Sequence, residues 1–217
     1  MISAAVLTWN PAEHSRMLLL ADTIHSLREA DRLTLIDNGS KLPVSFPDIE
    51  IVRNDTWNTT SGYGTWTAMR SAAAVDGICV VSDDDMWWRP GWAGRLTEWW
   101  KNAPSDLLLT GCHLEPEYPW NTIENSGAGW LHRASTGAAS WSFRSTDLAR
   151  IRELVTPIAI TRQGVWDVPV CNAIRAAGFK IAQLDLAEHV GEQSTWGNGT
   201  VGGYGWDVGP VRELIRA

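Results

Sequence analysis

The chain has 217 residues and a mass of 24.0 kDa, a size that suits one domain with a full hydrophobic core. Hydrophobic residues make up 44% and charged residues 20%, as in an ordinary soluble globular protein, and no apolar stretch reaches the ~18 residues that a membrane span needs. The net charge of −7 argues against a broad nucleic-acid-binding surface, which would be basic.

The first half of the chain alternates between strand-like and helix-like patterns. The predicted elements are a strand at 2–8, an amphipathic helix at 14–28, strands at 32–36 and 50–53, a helix at 62–74 and a strand at 78–82. This alternation predicts an α/β fold with a mostly parallel central sheet and helices on both faces.

The second half is less regular. It predicts a helix at 92–102, an apolar run at 107–109, a long loop or hairpin at 111–136, a strand at 138–143, a helix from Thr146 to about residue 154, a helix at 167–177 closed by Gly178, a strand at 180–184 and a final helix at 210–216. We find no linker and no internal repeat, so we expect one domain over 1–217.

Three consecutive acids, Asp83, Asp84 and Asp85, follow the apolar run at 78–81. Side by side at the end of a strand, they would repel one another unless a cation or hydrogen-bond donors lay among them. A divalent metal that holds a phosphorylated ligand explains all three, because hard cations take carboxylate and phosphate oxygen. The alternative, an acidic turn capping the helix near Trp92, uses only one of them.

Other polar residues lie where strands or helices are predicted to end. Thr8 and Asn10 follow the first strand, Asp37 ends the second, and Asp167 opens a helix. The ends of parallel strands meet at one edge of a sheet, so the first three are expected near the acidic triplet. A turn-forming role for Asp37 and a helix-capping role for Asp167 are the alternatives.

Five segments together carry a family resemblance: VLTWN at 6–10, LIDNGS at 35–40, VVSDDD at 80–85, GAASWSFR at 137–144 and WDVPVCNAIRAAGFKI at 166–181. On these segments, over roughly residues 2 to 190, the chain resembles the nucleotide-sugar-dependent glycosyltransferases of GT-A fold, closest to the inverting family 2 type. The resemblance implies a single GT-A-like (Rossmann-like) domain.

The resemblance also implies roles for the polar residues. Thr8, Asn10, Asp37, Asp83 and Asp84 would bind the nucleotide sugar, with Asp37 on the base or ribose and Asp83 on the ribose. Two further residues would bind Mn²⁺ or Mg²⁺ on the diphosphate, namely Asp85 and His189. A lone histidine is also often only a structural hydrogen-bonding residue.

On the acceptor side, Asp167 would be the general base, and Trp141 and Trp166 would contact the acceptor. The family usually has an acidic pair before the base-bearing helix, where this chain has Trp166 and Asp167. The implied division is a nucleotide-sugar and metal-binding half at 1–111, an acceptor-binding and base-bearing half at 112–190, and a glycine-rich tail at 191–217.

Three function classes compete. The first is a glycosyltransferase, and the second is a non-catalytic nucleotide-sugar or carbohydrate-binding module on the same fold. The third, a nucleotidyltransferase, would need a glycine-rich phosphate loop with Arg or Lys after the first strand, where this chain has Trp9-Asn10-Pro11.

The sequence narrows the acceptor to a few classes and indicates the cellular compartment. Four acceptor classes stay open: a glycan, a lipid carrier, a protein or a modified DNA base. Fourteen tryptophans and an excess of arginine over lysine fit a virus-encoded enzyme that acts on hydroxylated DNA bases. The acidic net charge counts against this last acceptor. Residues 1–8 lack the pattern of a signal peptide. Cys79, Cys112 and Cys171 lack metal-type spacing and predict free buried thiols, hence a cytoplasmic protein.

Overall fold

The computed structural model describes residues 1–13, 16–54, 63–119, 121–159 and 167–191, together with Val211, Glu213 and Ile215. The strands are β1 (Ile2–Thr8), β2 (Arg32–Asp37), β3 (Glu50–Arg53), β4 (Ile78–Asp83), β5 (Met86–Trp88), β6 (Leu107–His113), β7 (Ile123–Gly127), β8 (Trp130–Arg133), β9 (Ser140–Arg144) and β10 (Lys180–His189). The helices are α1 (Met17–Ser26), α2 (Tyr63–Ala72), α3 (Trp92–Asn102), α4 (Leu148–Ala159) and α5 (Asp167–Ala176), with a 3-10 turn, Ser145–Asp147, before α4.

The strands form one sheet in which β1 lies beside β4. The order is β3-β2-β1-β4-β9-β6-β10-β8-β7, and β5 pairs with β10. β1 pairs in parallel with β2 and β4, β2 with β3, and β6 with β10, whereas β9 lies antiparallel between β4 and β6. Strands β1, β2, β3, β4, β6 and β10 therefore end at one edge of the sheet, the carboxyl edge.

Helices cover both faces of this sheet. In β1, Ala4 and Val6 pack into the layer under α1 and α3, while Ala5 and Leu7 pack into the layer under α2, α4 and α5. Side chains alternate along a strand, so both sets of β1 residues are buried. A strand covered on both faces is apolar almost throughout, which is why β1 and β4 read as continuous apolar runs. The predicted α/β class, with a mostly parallel sheet and helices on both faces, is confirmed.

Several predicted elements differ in length or were missed. β6 and β10 continue to His113 and His189, past the apolar residues that marked them, because polar side chains at the carboxyl edge break the apolar pattern while the backbone keeps pairing. β5 was not predicted, since three residues carry too little periodicity. The segment 111–136 contains the β7–β8 hairpin, and α4 begins at Leu148 after the 3-10 turn rather than at Thr146.

The predicted final helix and most of the glycine-rich tail lie outside the described residues, so these stay predictions, as do the boundaries of the two halves. All three cysteines are free and buried, as predicted. Within the described ranges, no helix is both long and apolar enough to cross a membrane.

Candidate functional site

The acidic triplet lies at a change in the winding of the sheet. α1 connects β1 to β2 on one face of the sheet, and α2 leads into β4 on the other face, so the carboxyl ends of β1 and β4 form a switch point, where an open α/β sheet is expected to have its ligand-binding crevice. Thr8 ends β1, and its Oγ1 donates a hydrogen bond of 2.5 Å to Asp84 Oδ2. This bond ties the two strand ends together and places the predicted residues Thr8 and Asp84 in direct contact.

A buried arginine compensates the negative charge of two of these acids. Arg16 Nη2 donates to Asp84 Oδ1 and lies 2.7 Å from Asp85 Oδ2. All three side chains are at most 9% exposed. Burial alone would lower the pKa of Arg16, but the charges of Asp85 and Asp84 raise it, so the guanidinium stays charged. A planar guanidinium suits this position because it can donate to two carboxylates at once.

Asp85 meets His189 where β4 and β10 end. Asp85 Oδ1 lies 3.2 Å from His189 Nε2. The backbone holds this approach, since Val190 N donates to the carbonyl oxygen of Asp85 at 2.9 Å. A Cβ on Gly191 would lie 2.1 Å from Asp85 Oδ2, so only glycine allows the chain to pass so close to the carboxylate.

Burial and neighbouring charges shift the pKa values of the three acids differently. Burial, then the charges of Asp85 and Asp84, raises the pKa of Asp83 to about 8, although its side chain keeps some solvent access. Burial also raises the pKa of Asp84, against the charge of Arg16. Burial also tends to raise the pKa of Asp85, but the close approach and charge of His189, with the charge of Arg16, outweigh burial and lower the pKa.

The residues fit a hard divalent cation held by two protein ligands. Two atoms bound at right angles, each about 2.2 Å from one ion, lie about 3.1 Å apart, close to the 3.2 Å between Asp85 Oδ1 and His189 Nε2. Within the described ranges, Asp85 Oδ1 is buried without a hydrogen bond of good geometry. In the same part of the chain no group of three or more His, Cys, Asp or Glu could hold a metal, so phosphate or water oxygens would complete the coordination.

Asp167 lies close to a second acid, Glu115, at the same edge. A Cβ on Gly137 would lie 2.7 Å from Glu115 Oε1 and 3.8 Å from Asp167 Oδ2, so the two carboxyl groups flank this glycine. Two residues on, the carbonyl oxygen of Ala139 accepts a 2.8 Å bond from Asp83 N. The segment 137–139 thus connects Asp167 with the acidic triplet.

Asp167 is half-buried at the first residue of α5. Its Oδ1 accepts a 2.8 Å bond from the N–H of Val168. Burial raises the pKa of Asp167; the Val168 bond opposes this, and the charge of Glu115 adds to it. The position of Asp167 at the first residue of α5 does not distinguish the predicted base from the capping alternative, so its role stays a prediction.

A buried histidine fills the space between the two groups of acids. His113 Nε2 lies 3.8 Å from Glu115 Oε1, and the ring centroid of His113 lies 6.3 Å from that of His189. His113 Nδ1 pairs with Ser140 Oγ at 2.7 Å. Burial lowers the pKa of His113 to about 3, so its ring is neutral at physiological pH.

Two predicted nucleotide-binding residues are engaged within loops. Asp37 is buried and accepts 2.9 Å bonds from Ser40 N and Arg53 Nη1. Asn10 accepts a bond from Lys41 N at 2.7 Å and donates from its own N–H to Ser40 Oγ. These contacts give both residues a structural role in the turn after β2, and nucleotide contacts for them stay predictions.

The structure contradicts one of the two predicted acceptor contacts, Trp141. Trp141 is fully buried in the core beneath α2, α4 and α5, and its Nε1 donates to Thr136 O, so its ring offers no face to an acceptor. The prediction for Trp141 is corrected on that ground: alternation along β9 turns the indole inward. Trp166 lies outside the described residues.

A separate groove of 620 Å³ holds two of the other tryptophans. Trp99 and Trp130 have ring centroids 6.0 Å apart and line it together with Arg95, Glu98 and Asp185. None of the acids described above lines this groove.

The sequence did not single out Arg16 or Glu115. Arg16 fell within a predicted amphipathic helix, and its contact with Asp84 spans 68 residues of chain, which no local pattern reveals. Glu115 fell within a predicted loop. The one available signal was its place just after an apolar strand, the same position that drew attention to Asp83.

The solved structures that resemble the chain share its fold at low sequence identity. GalNAc-T7 with UDP, GalNAc and Mn²⁺ matches with a TM-score of 0.62 and 11% identity over 85% of this chain. TarS of S. aureus (residues 1–349) with UDP-GlcNAc matches at 0.59 and 11% over 89%. A nucleotidyl transferase from Methanothermobacter matches at 0.53 and 14% over 86%.

These similarities confirm a GT-A-like α/β fold. The chain spans 42% of the GalNAc-T7 chain and 61% of the TarS chain, but 87% of the nucleotidyl transferase. No protein-family model matches the chain, and no curated protein matches its sequence.

Proposed function

We propose that the chain is a metal-dependent glycosyltransferase that moves a sugar from a nucleoside-diphosphate sugar to an acceptor hydroxyl, with inversion at the anomeric carbon. The observation that carries this proposal is the 3.2 Å approach of Asp85 and His189 at the carboxyl edge of a GT-A-like sheet. The neighbours add support, since one was solved with UDP, GalNAc and Mn²⁺ and another with UDP-GlcNAc.

The donor would lie in the crevice between β1 and β4. Asp85 and His189 would hold Mn²⁺ or Mg²⁺, which when bound supplies positive charge to the departing nucleoside diphosphate. Asp83, which keeps some solvent access, would contact the ribose. Asp84 would keep the triplet in place through its bonds to Thr8 and Arg16 rather than by touching the donor.

Asp167 would take the proton from the acceptor hydroxyl. The hydroxyl oxygen attacks the anomeric carbon from the face opposite the leaving diphosphate, and its proton passes to the carboxylate. A base works best when its pKa approaches the working pH, and burial shifts Asp167 in that direction.

Donor binding is tested by thermal unfolding with UDP-, GDP-, CDP- and TDP-sugars in the presence of Mn²⁺. A ligand at a hundred times its Kd stabilises by about 2.7 kcal/mol, which corresponds to a rise in Tm of roughly 5–10 °C for a chain of this size. The rise should disappear with EDTA and in His189→Gln, which loses one metal ligand. If no donor raises Tm with or without metal, the proposal fails.

Catalysis is tested with Asp167→Asn, which preserves shape but cannot accept the proton. We expect transfer to fall by about 10²–10⁴-fold with the donor Kd unchanged. Asp106→Asn is the matched control, because Asp106 forms an exposed ion pair with Lys180 at the other edge of the sheet. An unchanged rate in Asp167→Asn would remove this residue from the mechanism.

Donor binding without transfer or hydrolysis would instead favour a non-catalytic nucleotide-sugar or carbohydrate-binding module. The acceptor screen covers glycans, lipid carriers, proteins and hydroxylated DNA bases, the four classes that the sequence leaves open.

A second activity, nucleotidyl transfer, is favoured by one observation. The sequence lacks a basic residue directly after β1, yet the structure brings Arg16 from the following segment to the acidic triplet. The nucleotidyl transferase fold neighbour spans a similar length. Incubation with nucleoside triphosphates, sugar 1-phosphates and Mg²⁺ tests this activity, with release of inorganic diphosphate as the positive result.

A further inference from the structure

Glu115 is a buried acid with no part in the proposed transfer. It is 8% exposed and lies two residues after the end of β6 at His113, at the carboxyl edge. Its Oε2 accepts a 2.9 Å bond from Gly137 N and a 3.1 Å bond from Gln183 Nε2. Two N–H donors on one oxygen stabilise the ionised form of a carboxyl group.

Arg133 fixes the backbone that carries this acid. Its Nη2 donates to Glu115 O at 2.6 Å, and its Nη1 donates to Asn121 O at 2.8 Å. The side chain of Arg133 is completely buried, so its positive charge acts on Glu115 through a medium that screens poorly. The carboxyl group is therefore held by its backbone as well as by its own hydrogen bonds.

The other oxygen of Glu115 and one carboxyl oxygen of Asp167 lie beside the same glycine, Gly137. Gly137 separates the two groups, and a Cβ there would lie within 4 Å of both Glu115 Oε1 and Asp167 Oδ2. The absence of a side chain at Gly137 brings the two carboxyl groups close enough for each charge to act on the other.

We propose that Glu115 is a positioning residue for the general base: its carboxylate places a negative charge beside Asp167 and so sets the pH range in which Asp167 accepts a proton. This inference rests on the proposed role of Asp167. It also accounts for the acidic pair expected before α5, where the sequence has Trp166: the second acid comes from the end of β6 instead.

The surrounding charges agree with this role. Asp167 faces Glu115 and the backbone N–H groups at the start of α5, and the negative charge of Glu115 raises the pKa of Asp167. Glu115 itself faces Arg133, His113, His189 and Asp167. Burial is the largest influence on Glu115 and leaves its pKa raised, although the Gly137 hydrogen bond, the charge of Arg133 and the Gln183 hydrogen bond act against this.

The test is Glu115→Gln, which keeps the shape and the acceptor for Gly137 N–H but removes the charge. Carbon-detected NMR of the side-chain carboxyl groups, in the protein without substrate, follows the titration of Asp167 directly. We expect its midpoint to fall by on the order of one pH unit. The acid limb of kcat/KM should move by the same amount while the donor Kd stays constant.

Three variants separate charge from structure. Glu115→Asp keeps the charge and should leave the midpoint in place. Glu117→Gln makes the same charge change at an exposed residue two positions on and should also leave it in place. Gln183→Met removes one hydrogen bond to the Glu115 carboxylate and should lower the Asp167 midpoint, by less than Glu115→Gln does. This variant provides a test even if Glu115→Gln does not fold.

An unmoved Asp167 midpoint in folded Glu115→Gln overturns the proposal, as does an equal shift in Glu117→Gln. Because the NMR titration needs no substrate, it decides the coupling of the two acids even if the chain transfers no sugar. A failed transfer assay would bear on the proposed function and not on this pair.

Discussion

Arg16 is the side chain that compensates the buried negative charge of the acidic triplet. Two buried carboxylates, Asp84 and Asp85, share its guanidinium, and without it each would face the other across a poorly screened interior. The arginine leaves Asp85 Oδ1 directed at His189. The site therefore holds a resident cation beside the place proposed for a metal ion.

Replacing this arginine should cost stability. In Arg16→Met the two carboxylates lose their partner, and we expect the free energy of unfolding to fall by about 3–5 kcal/mol, measured by urea denaturation. Arg175→Met removes the exposed pair with Glu124 and should cost less than about 1 kcal/mol. Mn²⁺ should stabilise Arg16→Met more than the unmodified protein, because a competing positive charge is gone. Equal losses in the two variants would show that Arg16 does not compensate buried charge.

The protonation of Asp167 should limit the rate at low pH. Burial raises its pKa above the ordinary value of 3.8, so the carboxylate becomes protonated, and unable to act as a base, at a higher pH than an exposed aspartate. We expect kcat/KM to be constant at neutral pH and to fall tenfold per unit below a midpoint that lies above 3.8. A profile that stays flat down to pH 4 would contradict this assignment.

At the scale of elements, the candidate site depends on the length of β10. The strand carries His189 to the end of β4, and Gly191 then passes against Asp85. Had β10 stopped at the end of its apolar run, at Leu184, no histidine would face the triplet. The pairing of Ala187, Glu188 and His189 with β5 is what extends it.

A side chain at Gly191 should disturb this arrangement. In Gly191→Ala the new methyl would lie 2.1 Å from Asp85 Oδ2, so the end of β10 or the carboxylate must move. We expect Mn²⁺ affinity, measured by electron paramagnetic resonance, to drop by about 10–100-fold. Gly178→Ala has open space and a φ of +85°, so it should lower stability by about 1 kcal/mol and leave Mn²⁺ affinity alone. Unchanged Mn²⁺ affinity in Gly191→Ala would place the metal elsewhere.

Sequence patterns were sufficient for elements whose signal is local. β1 and α3 have the predicted bounds because continuous apolar runs and three-to-four spacing arise within each segment. Asp83 and Asp85 were singled out as candidate ligands because they follow such a run. Arg16 and Glu115 were missed because their roles depend on contacts between distant segments. Trp141 was misassigned because its acceptor role came from the family resemblance, whereas alternation along its own predicted strand turns the ring into the core.

At the scale of the whole molecule, the two hydrophobic layers share the central strands. Cys79 and Cys171 lie in the layer under α2, α4 and α5, and Cys112 lies in the layer under α1 and α3. Burial raises the pKa of Cys79 and of Cys112 to about 12 and raises that of Cys171 as well. Each thiol is therefore both covered and un-ionised in the native protein.

The three cysteines should react only when the whole sheet opens. A thiol with a pKa of about 12 is ionised to about one part in 10⁴ at pH 8. We expect a thiol-specific reagent such as DTNB to label none of the three in the native protein and all three in urea, with a shared rate at intermediate urea concentrations. Rapid labelling of one cysteine under native conditions would show that its layer opens independently.

In the proposed function, a divalent cation at the ends of β4 and β10 joins this protein to the diphosphate of its donor. Crystals soaked with Mn²⁺ and UDP test it through the anomalous scattering of manganese. The predicted result is one strong peak about 2.2 Å from both Asp85 Oδ1 and His189 Nε2, with diphosphate oxygens on the same ion. Bound UDP with no manganese peak at this pair, and Arg16 alone against the phosphates, would contradict it.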